Sequence, residues 1–248
     1  MRPDLDTEDQ RHSLSRQRQA GWLLGLACVL AAPAALAQLS GSLAVLSDYR
    51  FRGRSLSDNA ASAQLTLNYD RDDGWYAGAM AARAKLEDSP SAQLVAYGGF
   101  AQRLPGGLGW EAGATQAVFT GASAANYVEV YAGLSGEQVN ARLYYSPRYF
   151  GSSTRTLYAE ANGFLRLGET LRLVGHAGLL RALGGDASGS VSGQHLDYRL
   201  GLAAQVGDID LQLARVTGIA RRYPAYGGYP AYLGPRPRAY VLSASYSF

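Results

Sequence analysis

The chain has 248 residues, with 23 basic and 20 acidic side chains and a formal net charge of +3. This small charge is spread along the chain without a basic block, which argues against a nucleic-acid-binding arm. The single cysteine, Cys28, lies near the N terminus, so residues 38–248 cannot form an internal disulfide.

An apolar segment, residues 21–37, follows three arginines and ends in Ala35-Leu36-Ala37. This pattern predicts a secretory signal peptide that is cleaved before Gln38. A membrane anchor is the weaker interpretation, because the segment is short for a spanning helix and contains Pro33. We therefore expect an N-terminal extension and signal peptide over residues 1–37 and one exported domain over residues 38–248.

From Gln38 onward, apolar and polar residues alternate in short segments that are separated by turn residues. A period of two predicts β-strands with one apolar and one polar face. Each segment has about 9 to 13 residues, the length that a tilted strand needs to cross a bilayer. The twelve predicted strands are 39–52, 61–70, 75–85, 92–103, 108–119, 126–134, 138–146, 156–167, 170–181, 196–206, 209–218 and 238–248.

The predicted connections alternate between short and long. Those after the second, fourth, sixth, eighth and tenth strands have two to four residues, whereas the others are mostly longer. This alternation is typical of an even-stranded, up-and-down antiparallel barrel with both termini in the periplasm. No segment after Ala37 is long and apolar enough for a spanning helix, so a mature protein in a membrane must form a closed all-β barrel.

Aromatic residues support this interpretation. Trp75 and Trp110 follow short turns, where they predict an aromatic belt at the periplasmic rim. The last strand ends on Phe248 and resembles the closing strand of bacterial outer-membrane barrels, in which the terminal aromatic residue is read by the barrel-assembly machinery. Its predicted lipid-facing residues are Tyr240, Leu242, Ala244, Tyr246 and Phe248.

One segment resembles a known family. Residues 47–55, Ser-Asp-Tyr-Arg-Phe-Arg-Gly-Arg-Ser, and residues 74–78, Gly-Trp-Tyr-Ala-Gly, resemble the hallmark of the proteobacterial TorF family of porin-like proteins, to which no function is assigned. The likeness is strong over residues 47–80, although Arg54 replaces an aliphatic residue of the family pattern. It implies an outer-membrane barrel with a pore and indicates no particular solute.

The polar face of the strands predicts the lining of the lumen. If Tyr49 and Phe51 face lipid, then Arg50 and Arg52 point inward and form a constriction that prefers anionic or zwitterionic solutes. Alternatively, these arginines pair with acidic residues of neighbouring strands and hold the wall together. The predicted lumen residues are Asp48, Arg50, Arg52, Glu129, Arg142, Glu160, Arg172, His176, Asp197, Arg199 and Asp210.

The connection before the last strand repeats the tetrapeptide Tyr-Pro-Ala-Tyr between arginines. Such a loop could bind surface glycans or lipopolysaccharide phosphates, or it could be a solvated loop stiffened by proline. The candidate binding residues are Arg221, Arg222, Tyr223, Tyr226, Tyr229, Tyr232 and Arg236.

No pattern indicates an enzyme, a cofactor or a metal site. His176 and His195 lack the His-x-Ser-Asn context of the twelve-stranded outer-membrane phospholipases. The sequence therefore predicts a passive outer-membrane channel for small polar solutes, anionic ones among them. The alternative is a closed barrel that acts through its extracellular loops as a surface-binding or envelope-structural protein. Expected partners are outer-membrane lipid, lipopolysaccharide, the assembly machinery and a small solute, but no nucleic acid.

Overall fold

A computed structural model describes residues 39–86, 89–183, 194–221 and 238–248. The predicted signal peptide lies outside these described residues. Twelve antiparallel strands close into a barrel in chain order, which confirms the predicted fold class. The barrel forms one compact unit, Ser40–Phe248. Within the described ranges, no helix is long and apolar enough to cross a membrane.

The wall consists of the first strand and eleven later ones. A small hairpin of β2 (Arg50–Phe51) and β3 (Arg54–Ser55) interrupts the chain after the first strand. The wall strands are β1 (Leu39–Leu46), β4 (Ser62–Asp70), β5 (Trp75–Leu86), β6 (Ser89–Arg103), β7 (Gly109–Phe119), β8 (Tyr127–Ser135), β9 (Val139–Ser146), β10 (Thr156–Arg166), β11 (Leu171–Ala182), β12 (Gln194–Val206), β13 (Ile209–Arg221) and β14 (Arg238–Ser247). The last strand pairs with β1, with Leu43 opposite Tyr246, and this pairing joins the two ends of the barrel domain.

The first strand differs from its prediction. It ends at Leu46, six residues before the predicted end, and the chain then leaves the wall. The prediction that Tyr49 and Phe51 face lipid is wrong, because Tyr49 is only 7% exposed and Phe51 packs beside it against the same buried cluster. Alternation of apolar and polar residues continues through the small hairpin, so it could not separate a wall strand from a hairpin.

The alternation of connection lengths has one exception. The strands β5 and β6 form a continuous ladder up to the pair Leu86 and Ser89, which leaves only two residues between them. The sequence predicts a longer connection over residues 86–91. Pro90 lies at the start of β6, where proline is tolerated in a strand.

The two faces of the wall differ in chemistry as predicted. Large apolar side chains stand exposed on the outer face, an arrangement that suits lipid and is unfavourable in water. Exposed examples on nine strands are Leu43, Val45, Leu65, Leu67, Leu94, Val128, Val130, Leu143, Leu165, Leu200, Leu202, Leu211, Leu213 and Leu242. The last strand follows the predicted parity, with Tyr240 and Leu242 exposed and Val241 buried.

Aromatic rings gather at the end of the barrel that carries the short turns, here called the short-turn end. The ring of Phe100 lies 5.4 Å from that of Trp75 and 5.8 Å from that of Trp110. The indole of Trp75 is 57% exposed. Both tryptophans therefore lie beside the short turns, as the sequence predicted, and Phe100 joins them.

The outer face predicts the effect of a charge placed there. Because Leu213 is 54% exposed on this face, we expect Leu213→Arg to cost about 2–4 kcal/mol of folding free energy in a lipid bilayer. The control is Gln212→Arg, one residue away on the inner face, which should cost clearly less. Urea titration of folding into phosphatidylcholine bilayers measures both, and equal costs would contradict the assignment of the faces.

Candidate functional site

The connection between β1 and β4, residues 47–61, folds into the barrel and is here called the inward segment. Leu56 within it is fully buried. The Tyr49 hydroxyl donates to Gln93 Oε1 at 2.5 Å on β6, and His195 Nε2 on β12 donates to the Arg52 carbonyl oxygen at 2.7 Å. Since a carbonyl oxygen only accepts, His195 carries a proton on Nε2. The inward segment is thus fixed to wall strands on different sides of the barrel.

The carboxylate of Asp48 organises the inward segment internally. It accepts hydrogen bonds from Arg50 Nε at 2.6 Å, from Ser55 Oγ at 2.5 Å and from Ser57 Oγ at 3.2 Å. Arg50 also donates from Nη2 to Asn59 Oδ1 at 3.1 Å. Partners within the inward segment therefore hold the Arg50 guanidinium in place.

Arg52 joins the inward segment to β8. Its Nη1 and Nη2 donate to the two oxygens of Glu129 at 3.0 and 2.7 Å, and both side chains are almost fully buried. The guanidinium carbon lies 4.0 Å from the ring centre of Tyr158 and 4.8 Å from that of Phe51. Burial alone would lower the pKa of Arg52, but the Glu129 carboxylate outweighs it and holds this pKa well above its usual range. Arg52 is therefore a permanent cation with a bidentate partner.

The tip of the small hairpin requires its glycine. Arg52 and Gly53 form a two-residue turn in which both have positive φ, 49° and 77°, the backbone of a type I′ turn. A Cβ on Gly53 would lie 2.6 Å from the Asp197 Cβ and 3.0 Å from the Gly218 Cα. The tip is therefore pressed against β12 and β13, on a different side of the barrel from the Glu129 anchor.

A second connection adds aromatic rings at the end of the barrel opposite the short turns, here called the loop end. Phe150, between β9 and β10, is fully buried and has a φ of 49°. Its ring stacks on Tyr127 at 4.7 Å and lies 5.4 Å from Phe119. Together with Phe51 and Tyr149, these rings form an aromatic cluster that fills part of the interior at the loop end.

A cavity of about 900 Å³ lies in the barrel interior. All twelve wall strands contribute to its lining, and so does the inward segment from Asp48 to Gly53. The cavity is therefore the lumen of the barrel, narrowed by the inward segment.

Two networks of polar side chains cross the inner wall. Glu111 accepts from Arg142 Nε at 2.6 Å and from the Tyr76 hydroxyl at 2.9 Å, and the Tyr76 and Tyr131 hydroxyls are 2.6 Å apart. These contacts link β5, β7, β8 and β9 across one side of the lumen.

The second network is centred on His176. Its Nε2 lies 2.7 Å from Asp197 Oδ1, and its Nδ1 lies 2.7 Å from Asn162 Oδ1. Nearby, Arg172 pairs with Asp210. Among the described residues, no group of three or more histidine, cysteine or acidic side chains could hold a metal ion.

The structure places most predicted lumen residues together. Every one lines the cavity except Arg172, which reaches it only through Asp210. Arg50 and Arg52 lie inside as predicted, although on the inward segment instead of on a wall strand. Sequence reasoning missed Asp70, Glu111 and the tyrosines of the lining, although the parity of their strands would have found them. The missed tyrosines of the wall strands are Tyr76, Tyr97, Tyr127, Tyr131, Tyr144 and Tyr158.

The predicted binding residues of the last long loop fall at or beyond the edge of the described part of the chain. Arg222, Tyr223, Tyr226, Tyr229, Tyr232 and Arg236 lie outside the described residues. The backbone of Arg221 ends β13, and its side chain is outside the described part. The role of this loop stays a prediction.

The charges of the lumen are unequal. Seven acidic side chains and four arginines line the cavity. Three arginines form ion pairs within the lining: Arg50 with Asp48, Arg52 with Glu129 and Arg142 with Glu111. Among the described lining residues, two acidic side chains, Asp70 and Glu160, form no ion pair. One arginine of the described lining, Arg199, also forms none. The fixed charge of the lumen is therefore net negative.

A closed barrel with an apolar outer face and a charged, polar lumen has the architecture of a membrane-spanning β-barrel. Two solved porins share the fold. The KdgM porin is 12% identical over 84% of this chain and 99% of its own, with a TM-score of 0.52. The NanC porin is 12% identical over 82% of this chain and 98% of its own, with a TM-score of 0.55.

The chain belongs to a family of bacterial proteins of unknown function, Gcw_chp, whose model matches residues 30–223. No curated protein matches it in sequence. The likeness to the two porins, at this low identity, shows the fold alone.

The buried ion pair predicts a large effect on stability. Glu129→Gln leaves the Arg52 guanidinium buried without its carboxylate, so we expect the free energy of unfolding to fall by about 3 kcal/mol. Urea unfolding followed by circular dichroism measures the change.

An exposed ion pair supplies the control. Asp73→Asn breaks the pair of Arg71 and Asp73, which are 2.7 Å apart in the first short turn. Arg71 donates hydrogen bonds to this carboxylate and lowers the pKa of Asp73, but both groups are in solvent, so stability should hardly change. Similar losses of unfolding free energy in the two variants would contradict a special contribution of the buried pair to stability.

Proposed function

We propose that the protein is a porin-like, non-enzymatic channel of the bacterial outer membrane, through which small polar solutes diffuse passively. The observation that carries this proposal is the polar, charged lumen, which all twelve strands line and which the inward segment narrows. Fixed charges on a constriction act on solutes at close range. The resemblance to the TorF family supports the same function.

We also propose how the barrel lies in the membrane. The predicted signal peptide would direct export, the short turns would face the periplasm and the loop end would face outward. The exposed terminal ring of Phe248, 6.2 Å from that of Tyr246, is available to the assembly machinery. Lipid and lipopolysaccharide would then surround the apolar outer face.

The charge of the lumen decides which ions we expect to pass. A preference for anions was expected from Arg50 and Arg52, but both guanidinium groups bind carboxylates at close distance. Ion pairs contribute little net field along a pore, whereas unpaired charges contribute most. Among the described lining residues, two carboxylates, Asp70 and Glu160, are unpaired against one unpaired cation, Arg199. We therefore propose that the lumen favours cations.

Ion selectivity in a planar bilayer tests this proposal. The refolded residues 38–248 should conduct in discrete steps, and a salt gradient should give a reversal potential of the sign for cations. Glu160→Gln should reduce the cation-to-anion permeability ratio and Arg199→Gln should raise it, because each removes one unpaired charge. A wild-type channel that prefers anions, or two variants that shift the ratio in the same direction, would contradict the charge argument.

The aromatic cluster favours a second candidate function. Phe119 and Phe150 are at most 1% exposed inside the loop end, as expected of a barrel that is closed at this end. Such a barrel would act as a surface-binding or structural protein through its outer loops. A folded barrel that never conducts would support this candidate, and deletion of residues 223–232 should then abolish surface binding.

A further inference from the structure

The charged side chains of the wall are divided between its two faces. All six acidic residues in the described wall strands line the cavity. The charged residues at outward positions of these strands are all basic: Arg83, Lys85, Arg181, Arg215 and Arg238. The charged positions on the outer face of the described wall are therefore all positive.

Two of these arginines lie next to each other with two tyrosines. Arg215 on β13 is opposite Tyr240 on β14. Two residues further along β13, Thr217 is opposite Arg238 on β14 and Tyr198 on β12. Residues that are opposite or diagonal across strands lie within reach of long side chains. We call Tyr198, Arg215, Arg238 and Tyr240 the outer Arg-Tyr patch.

The patch is open to its surroundings. Arg215 and Arg238 are exposed, and Tyr198 and Tyr240 are 42% and 72% exposed. Arg83 donates to the Ala61 carbonyl oxygen and Lys85 pairs with Asp58. Neither Arg215 nor Arg238 has a hydrogen bond or an ion pair within the described chain, so their donors are available to a partner.

An arginine on a lipid-facing wall is unfavourable unless it reaches an anionic group. Its cost falls from the middle of the bilayer towards the interface. Tyrosines mark the interface, because the ring lies in the apolar layer and the hydroxyl reaches water. The fork of an arginine binds a phosphate through two parallel hydrogen bonds. A phosphate at the lipid surface therefore fits both the position and the chemistry of the patch.

We propose that the outer Arg-Tyr patch binds the phosphate groups of lipopolysaccharide. The inference rests on the membrane location and orientation proposed above, in which the loop end faces the leaflet that contains this lipid. The guanidinium groups of Arg215 and Arg238 hold the phosphates, while Tyr198 and Tyr240 lie against the adjoining acyl and sugar region. The patch thereby fixes the barrel to one kind of lipid on one side.

Binding of purified lipopolysaccharide to the full folded chain in neutral detergent tests the proposal. Each basic residue near an anionic surface contributes about fivefold to binding, so Arg215→Gln with Arg238→Gln should weaken binding roughly 25-fold. The matched control removes two exposed arginines at the short-turn end, Arg103→Gln with Arg166→Gln, and should leave binding within about twofold of the wild type. Lipopolysaccharide stripped of its phosphates should bind the wild type as weakly as the intact lipid binds the patch variant.

Three results would overturn the proposal: wild-type affinity in the patch variant, an equal loss in the control variant, or unchanged binding of the stripped lipid. If the double variant does not fold, the two single substitutions are compared with the wild type. Wild-type affinity in both single variants would also overturn the proposal. Conductance of the same samples separates this proposal from the proposed function. A wild-type barrel that binds the lipid but does not conduct would contradict the proposed channel and support the proposed role of the outer Arg-Tyr patch.

Discussion

The pairing of every wall strand with two neighbours is the constraint on which this structure depends. A strand in lipid must satisfy its backbone hydrogen bonds with other strands, because no water is present to accept them. Closure between β1 and β14 removes the last open edge. Once the wall is closed, successive side chains alternate between lipid and lumen, so the alternation seen in the sequence becomes an apolar outside and a charged inside.

A barrel of this size leaves an interior that side chains of the wall alone do not fill. The inward segment occupies part of it, and its buried arginine is held by Glu129 across the lumen and by surrounding aromatic rings. The same ion pair that fixes the segment removes a charge from the pore. In the proposed channel, structure and selectivity are therefore coupled, because each arginine that anchors the constriction ceases to act as a free charge.

The sequence predicted the fold well because a period of two is a local signal. All twelve wall strands and the inner and outer faces follow from it, as does the position of Trp75 beside a short turn. The path of the inward segment could not be predicted, since Arg50 to Ser55 alternates like a wall strand. The partner of Arg52 is 77 residues away, and only the register of the closed barrel brings Glu129 opposite to it. For the same reason the sign of the lumen charge could not be read from the arginines alone.

The position of the inward segment in the chain constrains the order of assembly. It follows the first strand, yet the anchors of Arg52 lie 77 and 143 residues later, on β8 and β12. Contacts of such high sequence separation form late, and proteins rich in them fold slowly. The constriction is therefore complete only once β8 and β12, which supply these anchors, are in place.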